Sequence, residues 1–130
     1  MVTDFIIVDD DPINNMLCKL IIEQRFSTVS VHSFTDPNDA LAYIESTYSN
    51  AEAPATILFL DINMPTLTGW EFLDVFESFP VSIKSHFKIF MLSSSVDPKD
   101  KEHAALNKNV FAYIEKPITI ESVDYIFNRI

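Results

Sequence analysis

Asp9, Asp10, Asp61, Ser93 and Lys116 are the residues whose types and positions could do chemistry together. The first two acids follow the apolar run Phe5-Ile6-Ile7-Val8, and Asp61 follows Thr56-Ile57-Leu58-Phe59-Leu60. Ser93 comes after Phe87 to Leu92, and Lys116 comes after Val110 to Ile114, just ahead of Pro117. Carboxylates gathered from separate segments repel one another unless a cation sits among them. Magnesium suits such a group, because it needs only one or two protein carboxylates and keeps waters or phosphate oxygens as its other ligands, whereas calcium loops want more oxygens. A carboxylate beside that metal can attack phosphorus while the metal, an ammonium and a hydroxyl neutralise the equatorial oxygens. Asp61, Lys116 and Ser93 are the residue types this requires.

The elements that must position these groups are legible in outline. Short, largely apolar runs at Phe5–Val8, Thr56–Leu60, Phe87–Leu92 and Val110–Ile114 read as strands of a parallel sheet, with Thr28–Phe34 as a further strand. Asp11-Pro12, Asp36-Pro37 and Asp97-Pro98 each pair an N-cap with proline at the first helical position. The first helix, on which Ile13, Leu17, Leu20 and Ile21 recur at helical spacing, runs to about Arg25. The second carries Ala40, Leu41 and Ile44, and Ala51 to Pro54 reads as the loop after it. Thr68 caps a third helix with Trp70, Phe72, Leu73 and Phe76; a fourth runs from Asp97-Pro98 to Leu106, and a fifth from Thr119 to Ile130. Five strands alternating with five helices predict an α/β three-layer sandwich with right-handed crossovers. Ligands of such sheets bind beyond the carboxyl ends of the strands, where these polar residues cluster. Strands lie ~4.8 Å apart, so the acids converge if strand one adjoins strand three.

Composition narrows the function. At 130 residues, 48% of them apolar, residues 1–130 suit one domain with a single core. A formal net charge of −10 without any Lys/Arg cluster argues against nucleic-acid binding by this chain. No apolar run is long enough to span a membrane, and the start lacks the basic segment of a secretory signal, so a cytoplasmic location is expected. Cys18, the single cysteine, permits no internal disulfide and reads as a buried, inert thiol. His32, His86 and His103 show no metal-ligand spacing, and Trp70 reads as packing.

Val8-Asp9-Asp10, Asp61-Ile62-Asn63-Met64-Pro65 with Gly69, Ser93-Ser94 and Lys116-Pro117, in this order, resemble the response regulator receiver domains of two-component systems, including the single-domain chemotaxis type. The resemblance spans nearly the whole chain. It implies a flavodoxin-like fold, a five-stranded parallel sheet of order 2-1-3-4-5 with five helices. It makes Asp61 the phosphoacceptor, with Asp10 and Asp61 binding Mg2+ directly, Asp9 acting through water and Asn63 donating its backbone carbonyl. Ser93 would bind a phosphoryl oxygen through its hydroxyl, Ser94 through its N–H, and Lys116 by an ion pair, its bond to Pro117 being cis. Ser93 and Tyr113 would form a switch to an output face made of the fourth helix, fifth strand and fifth helix. The implied partners are a histidine kinase or histidine phosphotransfer domain and a downstream protein target, and a dimer formed on phosphorylation is also allowed. Docking is expected on an apolar patch of Ile13, Met16, Leu17, Pro117 and Ile118.

Other readings stand beside these. Asp11 is better explained as a helix cap, Tyr113 equally well as a core aromatic, and the serine run leaves the choice of Ser93 open by one residue. Serine replaces the family's common threonine at Ser93, and Asn107-Lys108-Asn109 lacks the family's glycine, which Asn107 or Asn109 could replace by adopting a left-handed conformation. Asn63 and Ser95 fall where family members vary and tune phosphoryl lifetime. The chain is compatible with a complete single-domain regulator or an excised receiver. The rival functions are a receiver-like interaction module that is not phosphorylated, and an aspartyl-nucleophile phosphohydrolase of the haloacid-dehalogenase type. The second normally carries another acid where this chain has Asn63.

Overall fold

The structure is a computed structural model that describes residues 2–50, 52–94 and 97–129. Ala51, Ser95 and Ile130, assigned above to a loop, the serine run and the end of the last helix, lie outside the described residues. The element order is β1 (Val2–Val8), α1 (Pro12–Arg25), β2 (Ser30–Phe34), α2 (Pro37–Thr47), β3 (Ala55–Asp61), α3 (Gly69–Glu77), α4 (Val81–Lys84), β4 (Phe87–Ser93), α5 (Pro98–Leu106), β5 (Val110–Glu115) and α6 (Ile120–Phe127). All strand pairs are parallel, in the order β2-β1-β3-β4-β5.

Alternation along the central strands divides the core into two layers. Ile6, Val8, Leu58, Leu60, Ile89 and Met91 face α2, α3 and α5, against Leu41, Ile44, Phe72, Phe76 and Ala104. Phe5, Ile7, Ile57, Phe59, Phe90 and Leu92 face α1 and α6, against Cys18, Ile22, Val123 and Ile126. Continuous apolar runs are therefore what a strand covered on both faces requires.

The helix starts follow their caps. Asp11, Asp36 and Asp97 accept the N–H of Ile13, Asn38 and Lys99, each with proline at the first helical position. Thr68 with Glu71, and Thr119 with Ser122, form reciprocal capping pairs. Helix α4 makes six helices among the described residues, rather than the expected five. Its four residues are too short to show periodicity, and Pro80 at the cap with Ile83 buried beneath it suffices to set one turn.

One local expectation is corrected. No described non-glycine residue has positive φ, so neither Asn107 nor Asn109 is left-handed. Asn107 instead has extended backbone and accepts the Asn109 N–H on its side chain, turning the chain through an Asx bond. On α1 the buried side is Asn15, Cys18 and Ile22, while Ile13, Leu17 and Leu20 point outward, 63%, 45% and 53% exposed.

Strand β5 shifts register between Ile89–Val110 and Phe90–Ala112, so Phe111 is an additional residue. Val110 and Tyr113 consequently lie on the α5 side, and Ala112 and Ile114 on the α6 side. An unbulged strand would turn Tyr113 to the opposite face.

Gly69 opens α3 against the end of β3. A Cβ there would lie 2.6 Å from the Asp61 carbonyl oxygen and 3.0 Å from the Ile62 Cα, both backbone atoms. Close approach, rather than unusual φ, is what requires glycine. Gly69→Ala should destabilise the domain by about 2 kcal/mol or more, lowering Tm by several degrees in a thermal melt followed by circular dichroism.

Candidate functional site

Strands β1 and β3 run side by side with Val8 opposite Leu60, so Asp9 and Asp61 emerge next to each other. Asp9, Asp10 and Asp61 each offer a carboxylate oxygen, all within 4.8 Å of one another. Asp9 is fully buried, Asp61 is 4% exposed, and Asp10 is open to solvent. Lys116 is carried in from β5, its N–H bonded to the Ser93 carbonyl at 2.8 Å. Its bond to Pro117 is cis. The ammonium bridges the acids, 2.6 Å from Asp9 Oδ2 and 3.1 Å from Asp61 Oδ1.

Three carboxylates against one ammonium leave an excess of two negative charges. The donor set fits a divalent cation, and its all-oxygen character with few protein ligands fits magnesium. Asp61 has its pKa raised from 3.8 to about 6, first by burial and next by the Asp9 charge, with Lys116 opposing. Burial pulls the Lys116 ammonium down, but the hydrogen bond to Asp9 and the charges of Asp61 and Asp9 outweigh it, and its pKa is raised. The lysine therefore stays charged.

Sequence reasoning passed over Asn14 and Asn15. Asn14 Nδ2 donates to Asp9 Oδ2 at 2.6 Å, while Asn15 Nδ2 donates to the carbonyls of Asp9 at 2.9 Å and Phe34 at 3.3 Å. The available signal was a pair of asparagines in the first turns of the helix that follows the acids, where interior asparagine is unfavourable without a partner. Asp11 serves as the cap, and its N–H also holds Asp9 Oδ1 at 3.0 Å.

The remaining predicted residues surround this centre. Ser93 is fully buried at the end of β4, whereas Ser94 is exposed. Asn63 is exposed two residues past Asp61, between buried Ile62 and Met64. Tyr113 is half-buried on β5, with Lys101 Nζ 6.0 Å from its ring, beside a cavity of about 250 Å³ between α5 and β5. Ile13, Met16 and Leu17 form an exposed stripe that Leu20 extends, and Pro117 is exposed as well. Ile118 is not part of that patch: it is 3% exposed and packs in the core beneath α6. Trp70 stacks on His103 with centroids 3.8 Å apart, and Cys18 is buried with its thiol pushed up to about 12, chiefly by burial.

The family model for the response regulator receiver domain matches residues 5–127. The chain belongs to that family. Among solved structures, this receiver domain is similar to a response regulator receiver protein from Dyadobacter fermentans (29% identity, 98% of this chain and 97% of that one, TM-score 0.89). It is similar also to a two-component response regulator from Cytophaga hutchinsonii (31% identity, 98% and 95% coverage, TM-score 0.88). A curated relative, the cyclic di-GMP phosphodiesterase response regulator RpfG of Xanthomonas campestris, is 30% identical over 116 residues. Those residues are 88% of this chain and only 28% of the relative's length. No helix among the described residues of the receiver domain is long and apolar enough to cross a membrane.

A raised Asp61 pKa means that the folded chain binds this proton more tightly than the unfolded one. Stability therefore falls as pH rises from the ordinary carboxylate range to about 6, and the deficit persists above it. A change from 3.8 to about 6 corresponds to about 3 kcal/mol. Asp61→Asn should stabilise the metal-free domain by about 1–3 kcal/mol at neutral pH and by much less below about pH 4. Denaturant unfolding in EDTA at the two pH values measures this; an equal effect at both would refute a buried charge as its source.

Proposed function

We propose that this receiver domain is a phosphoacceptor of a two-component or phosphorelay system, acting in the cytosol and taking its phosphoryl group from a histidine kinase or histidine phosphotransfer domain onto Asp61. The observation that carries this reading is the Asp61 carboxylate itself, buried at a strand end, 3.1 Å from the Lys116 ammonium and grouped with Asp9 and Asp10. Asp61 attacks phosphorus as the bond from phosphorus to the donor imidazole nitrogen breaks, so a group moves and nothing is turned over. The domain is not an enzyme in the ordinary sense.

Asp10, Asp61 and the Asn63 backbone carbonyl are the ligands this reading gives to Mg2+, with Asp9 acting through water. The bound ion supplies positive charge against the phosphoryl oxygens. Lys116 moves from the carboxylates to a phosphoryl oxygen, while the Ser93 hydroxyl and Ser94 N–H take the others. Drawing Ser93 inward leaves room toward which Tyr113 turns, and the cavity between α5 and β5 gives α5 space to follow. The face of α5, β5 and α6 is the output surface toward a protein target or a second phosphorylated copy. The exposed stripe Ile13, Met16, Leu17 and Leu20, with Pro117, borders the acids and suits a partner helix.

Intact-mass measurement after incubation with acetyl phosphate and magnesium tests the reading. One phosphoryl group should be gained by the native chain and none by Asp61→Asn or in EDTA. No gain in the folded, magnesium-bound chain would favour an interaction module that is not phosphorylated. Sustained hydrolysis of a free phosphate ester would favour the phosphohydrolase.

A further inference from the structure

We propose that Asn14 is a positioning residue of the phosphoacceptor site, holding the Asp9 carboxylate in place when Lys116 leaves it for the phosphoryl group. The inference rests on the phosphoacceptor reading for its second half, and on geometry alone for its first.

Asp9 is the most deeply placed of the three acids, fully buried, and its two oxygens are held differently. Oδ1 accepts a backbone N–H, that of Asp11, which the α1 cap fixes. Oδ2 accepts two side-chain donors at the same 2.6 Å distance, Lys116 Nζ and Asn14 Nδ2. One of these donors is shared, since the ammonium also reaches Asp61 Oδ1. Once a phosphoryl group sits on Asp61, the strongest attraction on Lys116 is the new anionic oxygen. Of the two side-chain donors on Asp9 Oδ2, only Asn14 then remains. A buried carboxylate oxygen without a donor is strongly disfavoured, and the side chain would rotate away from its place beside Asp10.

Asparagine suits this duty for three reasons visible here. Its amide is neutral, so it adds no cation that would compete with Lys116 or with a metal ion. Its reach is short, and the helical turn that carries it is fixed from beneath by Asn15, which bonds the carbonyls of Asp9 and Phe34 at the ends of two strands. The amide nitrogen also lies 4.0 Å from Cys18 Sγ one turn further along, against a thiol kept neutral by burial. The amide is thus braced independently of Lys116.

The test compares Asn14→Leu, which keeps the volume without the donor, with the native chain in two backgrounds, Lys116 and Lys116→Met. Three quantities are read: Tm in EDTA, the magnesium Kd from the rise of Tm with magnesium, and the rate of acetyl phosphate labelling at saturating magnesium. With Lys116 present, Asn14→Leu should leave the magnesium Kd within about 3-fold and slow labelling by about 10-fold or more. In Lys116→Met, where no second side-chain donor remains on Oδ2, the same substitution should weaken magnesium binding by about 10-fold or more, a non-additive result. Equal effects on the magnesium Kd in the two backgrounds, or native labelling by Asn14→Leu, would overturn the proposal and reduce Asn14 to packing. If the native chain takes no phosphoryl group, the phosphoacceptor reading fails. The magnesium comparison then still decides whether Asn14 positions Asp9. Should Lys116→Met fail to melt cooperatively, Lys116→Ala supplies the second background.

Discussion

Placing ionised carboxylates together at the end of adjacent buried strands opposes folding, and the Lys116 bridge between Asp9 and Asp61 is what makes the arrangement tolerable. Pairing of β1 with β3 sets the acids side by side, pairing of β4 with β5 brings the lysine across, and helices on both faces keep the site at one edge of the sheet. One ammonium does not balance three acids, so the site holds a standing attraction for a divalent cation and for whatever that cation brings.

The same centre is joined to distant surfaces by close packing. Gly69 sets the start of α3 on the backbone of Asp61, and the next residue, Trp70, stacks on His103 of α5. Helix α5 is lightly held: among the described residues only Ala104 of it is buried, and its Lys101–Glu115 ion pair is exposed. An element with so few buried contacts beside a cavity is drawn from the low-stability end of the fold, where movement costs least. The bulge at Phe111 places Tyr113 at that boundary.

Helix α1 shows how one element can serve two masters. Its buried side carries Asn15, Cys18 and Ile22, and its first turns carry the amides that hold Asp9. Its outer side is an apolar stripe with no partner among the described residues of this chain. Apolar periodicity alone cannot tell a stripe that packs inward from one that faces out, because both have the same spacing.

The strands, their polar ends, the three Asp-Pro helix starts and the identities of Asp9, Asp10, Asp61 and Lys116 were legible in the sequence, because each rests on local chemistry: apolar runs for doubly covered strands, capping oxygens for helix starts, acids where a strand must stop. The tertiary structure decided what depends on neighbours. The single turn of α4 is too short to carry a pattern, and the Asn107 turn uses a side-chain bond where a left-handed residue was expected. Ile118 faces inward because α6 folds over it, and Tyr113 faces α5 because a bulge reverses the parity of β5. Asn14 meets Asp9 only because the first helical turn folds back over the strand end. A sequence specifies which side chains can bond; the packing of strands and helices determines which of them come within reach.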